Sequence, residues 1–465
     1  MQVAKCLEKE QLCNEFYLYL IKQTSNHPDP VSRFNLQAWR LLAVTLCILV
    51  PPNDLILEYL RVHLRYVMAI SANNYEGQWA RFCQRTLGKT LDHKNRKYPP
   101  SAPEVMSVAS MKPIAARFHF LDGQFRALMF DPSATTREVV NMVKERIDLK
   151  CSTDNFSLFE CFGSLERNML PDEKVADAIF KWEKYAKSTH SNKALKLTFK
   201  QRLFFGPFST PEDKVEMNLV FHQAMDDVIN DRFPVTEEEA VYLAALRAQV
   251  ELGDCGEMFG PAEYRSIIDN CMPKHMRAQA HEGLVIDLKA QHLKLKGTTK
   301  DQANARYLEK VREWPLYGST VFEVLQTYTS SLPKKLWLAV NEEGIHILKT
   351  RTKDPLVTYP YRSIVNYSPS LRNLMIRTES LTSRGSKFVF NTSQASQIAH
   401  LLRSYSLVRL LFGPYEPLSS CPSRSSLTIV TLANLAPPTA RPSRALHRHA
   451  LVFTSQKIVD NMKNK

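Results

Sequence analysis

The stretch TKDQANARYLEKVREWPLYG, Thr299 to Gly318, decides how the chain divides. Thr299 and Gln302 stand three apart, the pattern of a capping box in which each side chain satisfies a backbone N–H at a helix start. Ala303, Tyr307, Leu308 and Val311 follow at steps of three and four, so the spacing predicts a helix with one apolar face. Trp314-Pro315 ends it, because proline has no N–H and its ring collides with the preceding turn. From Tyr317 onward the period falls to two. Strands are predicted at Leu336 to Val340, Ile345 to Leu348 and Lys387 to Phe390, with a turn at Asn341 to Gly344. A helix carrying Ile398, Leu401, Leu402 and Tyr405 closes the series, the plan of a small sandwich capped at one end.

Toward the N-terminus, residues 207 to 315 read as a helical bundle. Thr210-Pro-Glu-Asp213 places proline at a first helical position, and Thr236-Glu-Glu-Glu239 is another capping box. Residues 114 to 202 have a different period. Phe118 and Phe120 alternate, Asp122-Gly123 is a hairpin turn, and Thr135-Thr-Arg-Glu138 caps a helix with Val139, Val140, Val143 and Ile147 on one face. Strands are expected at Phe156 to Phe162 and Leu195 to Phe199, which makes the order that of a ubiquitin-like roll. Residues 1 to 110 are helical again, with Leu12, Phe16 and Leu20 on one helix and Leu55, Tyr59, Leu60, His63, Leu64 and Val67 on another. Their joints are His27-Pro28-Asp29-Pro30 and Pro51-Pro52-Asn53-Asp54, whose Asp54 is placed to cap the next helix. A proline-rich linker, Tyr98 to Pro113, closes this unit. Residues 411 to 465 hold six Pro and seven Ser with no core-building pattern, and disorder is expected there.

Composition narrows the function. The chain has 465 residues, formal charge +14 and nine Cys with no C-x-x-C, which reads as reduced thiols rather than bridges or a zinc site. The longest apolar run, Leu41 to Val50, is half of what a membrane-spanning helix needs, and no basic-then-apolar leader opens the chain. The nearest approach to a phosphate-binding loop is Cys83 to Thr90, where Cys83 replaces the first glycine and a helix replaces the required strand. His281-Glu282 lacks the second histidine of a zinc-protease motif, and His63 and His346 sit in apolar patterns as satisfied core or surface histidines. No catalytic constellation, metal site or cofactor is expected, and the chain is read as not an enzyme.

The order of units, with specific residues at their joints, resembles a myosin tail homology 4 domain followed by a FERM domain. Trp314-Pro-Leu-Tyr317-Gly318 is similar to the W-x-x-Y-G signature at the junction of the second and third FERM lobes. Leu170-Pro-Asp-Glu173 ahead of Lys181-Trp182-Glu183 is similar to the end of the first lobe. Ile21-Lys22-Gln23-Thr24, Asn26-His27-Pro28, Trp39-Arg40-Leu41-Leu42 and Pro51-Pro52 carry the resemblance of the first bundle. The pairing is similar to tails of unconventional myosins of classes XV, VII or X. The fold expected is therefore multidomain α+β: a bundle over 1–110, a ubiquitin-like lobe over 114–202, a helical lobe over 207–315, a pleckstrin-homology-like lobe over 317–410 and a loose tail over 411–465. Against the usual extent of the first domain the chain starts inside the bundle, so a truncated bundle is expected.

Two kinds of binding surface follow. Arg81, Arg85 and Lys89 recur at steps of four, and Lys94, Arg96 and Lys97 follow; Lys334 and Lys335, with Lys349, Arg351 and Lys353, give the third lobe a second basic cluster. Such faces attract acidic surfaces, although an ordinary solvated face accounts for the first cluster equally well. Lys387, Phe388 and Phe390 beside Ile398, Leu401 and Tyr405 form a strand next to a helix, where an extended peptide adds hydrogen bonds to a sheet edge. The alternative is that these apolar residues only close the sandwich. The resemblance implies a cargo-binding and cytoskeleton-linking module with cargo or adaptor peptides as partners. It also implies the microtubule or actin cytoskeleton and anionic phospholipids, in the cytoplasm and in actin-rich projections. A membrane-cortex scaffold binding phosphoinositides, without a motor, is the second reading. Nucleic acid is not expected, because the basic residues lack interleaved aromatics. The charge is also unevenly spread, −5 over 201–315 and +7 over 316–410.

Overall fold

The computed structural model describes residues 5–412 apart from 151–154, 164, 207–210, 257–258, 278–281, 328–331, 351 and 380–385. Of the loose tail expected over 411–465, residues 411–412 are the last two of a helix; the rest of that tail, the helix start at Thr210, and Arg351 and His281 lie outside the described residues.

The first unit comprises α1 (Glu10–Gln23), α2 (Arg33–Leu46), α3 (Asp54–Ile70), α4 (Tyr75–His93) and the short α5 (Ala102–Val108). Its core is Tyr17, Leu20, Trp39, Leu42, Leu60, Leu64, Trp79 and Cys83. Two helix faces differ from the periodicity reading. On α1 the buried residues are Cys13, Tyr17 and Leu20, leaving Leu12 outside; on α3 they are Leu57, Leu60, His63, Leu64 and Val67, leaving Leu55 and Tyr59 exposed. Both helices carry apolar residues on more than one side, so a spacing of three and four does not choose the inward face. Asn53, one residue earlier than expected, caps α3 by accepting from the Leu55 and Ile56 amides. The proline-rich linker is not structureless. Ser101 and Glu104 form a capping box that starts α5, whose Val108 joins the bundle core.

The ubiquitin-like lobe has strands β1 (Ile114–His119), β2 (Phe125–Phe130), β3 (Phe156–Phe162), β4 (Leu165–Asn168) and β5 (Lys196–Gln201), in the order β2-β1-β5-β3-β4. Strands β1 and β5 are parallel and the other pairs antiparallel. Helix α6 (Thr136–Arg146) packs across the sheet, held by the expected Thr135/Glu138 capping box, and α7 (Val175–Ser188) follows β4. The second FERM lobe holds α8 (Lys214–Ile229), α9 (Glu237–Leu252), α10 (Pro261–Cys271), the short α11 (Lys274–Arg277), α12 (Glu282–Leu293) and α13 (Lys300–Arg312). Asp213 caps α8, so Pro211 lies before the helix rather than in its first turn. Capping boxes at Thr236 and Thr299 form as the sequence predicts.

The third lobe is a seven-stranded antiparallel sheet in the order β10-β11-β12-β6-β7-β8-β9: β6 (Thr320–Gln326), β7 (Lys335–Val340), β8 (Gly344–Lys349), β9 (Pro355–Pro360), β10 (Ile364–Pro369), β11 (Asn373–Thr378) and β12 (Lys387–Asn391). Helix α14 (Ala395–Phe412) closes it through Ile398, Leu401, Leu402 and Tyr405.

The FERM lobes meet at the W-x-x-Y-G stretch. Leu203 and Phe205 pack with the third-lobe core, while Phe204 between them joins the core shared by the first and second lobes, as alternation along an extended segment dictates. Tyr317 meets Phe204 edge-on at 5.8 Å, and Trp314 lies 4.8 Å from the Phe233 ring. The Tyr405 hydroxyl accepts from the Phe204 amide at 3.1 Å, tying α14 to the same joint.

Candidate partner-binding surfaces

The basic cluster on α4 does not form one outward face. Arg81 and Arg85 are exposed; Arg81 donates to the Ala72 carbonyl at 2.8 Å, and the Arg85 guanidinium sits 5.4 Å over the Phe82 ring. Lys94 and Lys97 are also exposed. Lys89 instead crosses to the ubiquitin-like lobe and pairs with Asp131 at 2.9 Å. Burial works to raise the Asp131 carboxyl, but hydrogen bonds from Lys89 and Ser133 outweigh it and hold the group below its ordinary value.

Arg96 departs furthest from expectation. It is 3% exposed, pairs with Glu104 within the bundle unit and donates to Asp177 of α7 at 2.8 Å. Burial alone would lower the Arg96 pKa, yet the Glu104 and Asp177 carboxylates hold it above the ordinary arginine value. Burial pushes the Glu104 carboxyl up, and the adjoining guanidinium pulls it back. Arg96 therefore serves the joint between bundle and FERM domain and is closed to an external acidic surface. Lys174 strengthens the joint by donating to the His93 carbonyl at 2.6 Å. The sequence signal for this role was present in Ser101-Ala-Pro-Glu104, which places a carboxylate eight residues after Arg96 at a rigid helix start.

In the third lobe, Lys334 and Lys335 are exposed, Lys335 3.2 Å from Glu323. Lys353 is half-buried, donates to the Phe233 carbonyl at 3.0 Å and lies 5.6 Å over Trp337. It too ties lobes together.

The expected peptide strand is corrected. β12 is an interior strand, paired with β11 on one side and with β6 at Phe390 and Asn391 on the other. Phe388, Phe390, Ile398, Leu401 and Tyr405 are all buried in the core, with the Phe388 and Phe390 rings stacked at 6.1 Å; of the six residues only Lys387 is exposed. Alternation in LysPheValPhe shows that a strand has an apolar face, and it is silent on which strand ends a sheet. The edge next to α14 belongs to β10. Val365 is 48% exposed and Tyr367 is partly buried against the core; burial raises the Tyr367 phenol, and the charge of Arg403 on α14 opposes that rise only in part. Pro369 at the strand end is the mark of an edge, since proline cannot serve an interior ladder.

Where the three FERM lobes converge lies a cleft of about 950 Å³, flanked by Glu160, Glu166, Arg167, Lys181, Lys200 and Arg232. Its charges answer one another. Glu160 accepts from Arg167 and Lys181, Lys200 pairs with Glu166 at 2.6 Å, and Arg232 with Asp227 at 2.6 Å. Each of these four cations is thus matched to a carboxylate among the described residues.

Residues 2–107 match the MyTH4 domain, residues 112–203 the RA-like domain, residues 209–322 the FERM central domain and residues 322–410 the PTB domain of IRS-1 type. In order along the chain, these matches are to a MyTH4 domain and then to the three lobes of a FERM domain. Similar proteins include Uncharacterized protein CG43867 of Drosophila melanogaster, 27% identical over 75% of this chain and 20% of that protein. Myosin-VIIa of the same organism is 26% identical over 86% of this chain and 18% of that protein. The chain thus spans about a fifth of the length of these curated relatives. Among solved structures, the MyTH4-FERM MF1 domain of Dictyostelium discoideum myosin VII superposes with TM-score 0.75 at 22% identity, over 87% of this chain and 81% of that one. The C-terminal MyTH4-FERM domain of human Myosin 7b, in complex with the harmonin-a PDZ3 domain, superposes with TM-score 0.68 at 20% identity over 87% and 81%. The module is of the kind found in unconventional myosin tails.

Proposed function

We propose that the chain is a non-catalytic cargo-binding and cytoskeleton-linking tail module of the unconventional myosin type, with peptide or adaptor segments as its partners. One observation carries the reading: β10 ends the third-lobe sheet beside α14, with Val365 exposed on the strand. An extended peptide added there gains main-chain hydrogen bonds and a side-chain groove. The human Myosin 7b module, which shares this fold, is in complex with a PDZ domain, so a protein partner suits the architecture. Arg81, Arg85, Lys94 and Lys97 remain as a surface for acidic partners, the cytoskeleton among them, and the cytoplasm and actin-rich projections are the places to look. The phosphoinositide-scaffold reading has less behind it, because Lys89 and Arg96 are engaged at the domain joint and the cleft charges are paired.

The test is capture of partners on the native chain and on Val365→Asp and Leu371→Asp, both exposed positions beside the edge. Loss of peptide partners by folded variants is expected. Retention of every partner would remove β10 from the reading. Co-sedimentation with vesicles of graded anionic lipid content addresses the scaffold alternative, which requires binding that rises with lipid charge and falls with salt.

A further inference from the structure

Helix α3 carries a second apolar stripe on its outer side. Leu55, Tyr59, Val62, Tyr66 and Ile70 are 67, 58, 59, 51 and 59% exposed. At roughly 100° per residue these five fall within about 80° of the helix circumference. They are spaced by four, three, four and four, the a/d rhythm of a helix seam rather than a scatter of surface side chains. Isolated exposed apolar residues are ordinary; a continuous seam is not.

We propose that a second copy of this chain covers the seam, with the two α3 helices antiparallel about a two-fold axis at Val62. The stripe is nearly symmetric about that residue. Tyr59 and Tyr66 lie three and four residues from it, Leu55 and Ile70 seven and eight. In the antiparallel arrangement Val62 meets Val62, Tyr59 meets Tyr66 and Leu55 meets Ile70, so one patch complements itself, as an isologous interface requires. The flanking charges choose the same arrangement. Glu58 and Arg65, both exposed, occupy one flank of the stripe, one on either side of Val62. Antiparallel pairing places Glu58 of each copy opposite Arg65 of the other, twice, whereas parallel pairing turns this flank toward the opposite flank of the partner and leaves both charges unmatched. Antiparallel helix dipoles add to the preference. Glu58 already contacts Arg61 on its own helix, which leaves Arg65 as the cation still to be met across the seam.

A seam of five side chains is far smaller than the roughly 20–30 residues a side of a standard interface, so the dimer is expected to be weak. Sedimentation velocity on the full chain between about 1 and 100 µM, the range in which weak interfaces dissociate, is expected to show monomer passing into dimer. Val62→Asp should shift the midpoint upward by at least tenfold, with Tyr66→Ser as the milder companion; circular dichroism verifies that both fold. Glu58→Arg and Arg65→Glu should each weaken association, and the double charge swap should restore it. A native chain that stays monomeric throughout overturns the proposal and hands the stripe to another occupant. Indifference to Val62→Asp overturns the seam, and failure of the double swap to outperform the single changes overturns the antiparallel pairing.

Discussion

Asp177, in the first turn of α7, accepts from the Arg96 guanidinium at 2.8 Å through one carboxylate oxygen and from the Lys97 amide at 2.9 Å through the other. The two residues come from different domains, and their contact is buried. A charge so placed is neutralised in place, and removing one partner leaves the other stranded in a medium that solvates it poorly.

Arg96→Met is therefore expected to lower stability by about 3–5 kcal/mol, the usual result of breaking a buried pair. Asp177→Ala should in addition loosen the MyTH4 domain from the FERM domain. Calorimetry checks both: the first variant melts earlier, and the second separates the two domains into distinct transitions.

Gly318 has φ +77, and a Cβ added there would lie 2.6 Å from the Phe204 Cβ. Gly318→Ala should lose more than the about 1–3 kcal/mol that left-handed backbone strain alone contributes. Gly253, at φ +80 with nothing within 4 Å of an added Cβ, is the control for strain without collision. Urea midpoints should fall further for Gly318→Ala than for Gly253→Ala.

His63 stacks on Trp39 at 5.8 Å and shares a 2.8 Å hydrogen bond with the Thr24 hydroxyl; burial lowers its pKa to about 4. Its folded pKa lies below the unfolded value of about 6.5, so the unfolded chain binds the extra proton. The contribution is present in full above about pH 6.5 and is lost as pH falls from there through about 4, amounting to roughly 3 kcal/mol. His63→Gln should flatten the pH dependence of the melting temperature over that interval.

Phe388→Ala and Leu401→Ala should each cost about 2–5 kcal/mol, as large-to-small core changes do. Val365→Asp should stay within about 0.5 kcal/mol of the native chain while losing peptide partners. Denaturation curves read beside partner capture separate the two kinds of residue.

Much of the fold is local and was legible. The capping boxes at Thr135, Thr236 and Thr299 and the turn at Gly123, whose φ is +84, involve neighbours in the chain, so four residues suffice to read them. The same logic, applied to Ser101 and Glu104, would have placed α5 inside the supposed linker. The candidate sites were legible only in part. Arg81, Arg85, Lys94, Lys97, Lys334 and Lys335 are exposed, whereas Arg96 and the apolar pair Phe388 and Phe390 are interior.

By itself the sequence determined the helical or extended character of the units and the helix starts at Thr135, Thr236 and Thr299, because these depend on periodicity and short-range sterics. Tertiary structure alone decided which face of α3 turns inward, that β10 rather than β12 ends the sheet beside α14, and that Arg96 is spent on Asp177, 81 residues away. Exposure is a property of what lies opposite a side chain, and what lies opposite arrives from distant parts of the chain.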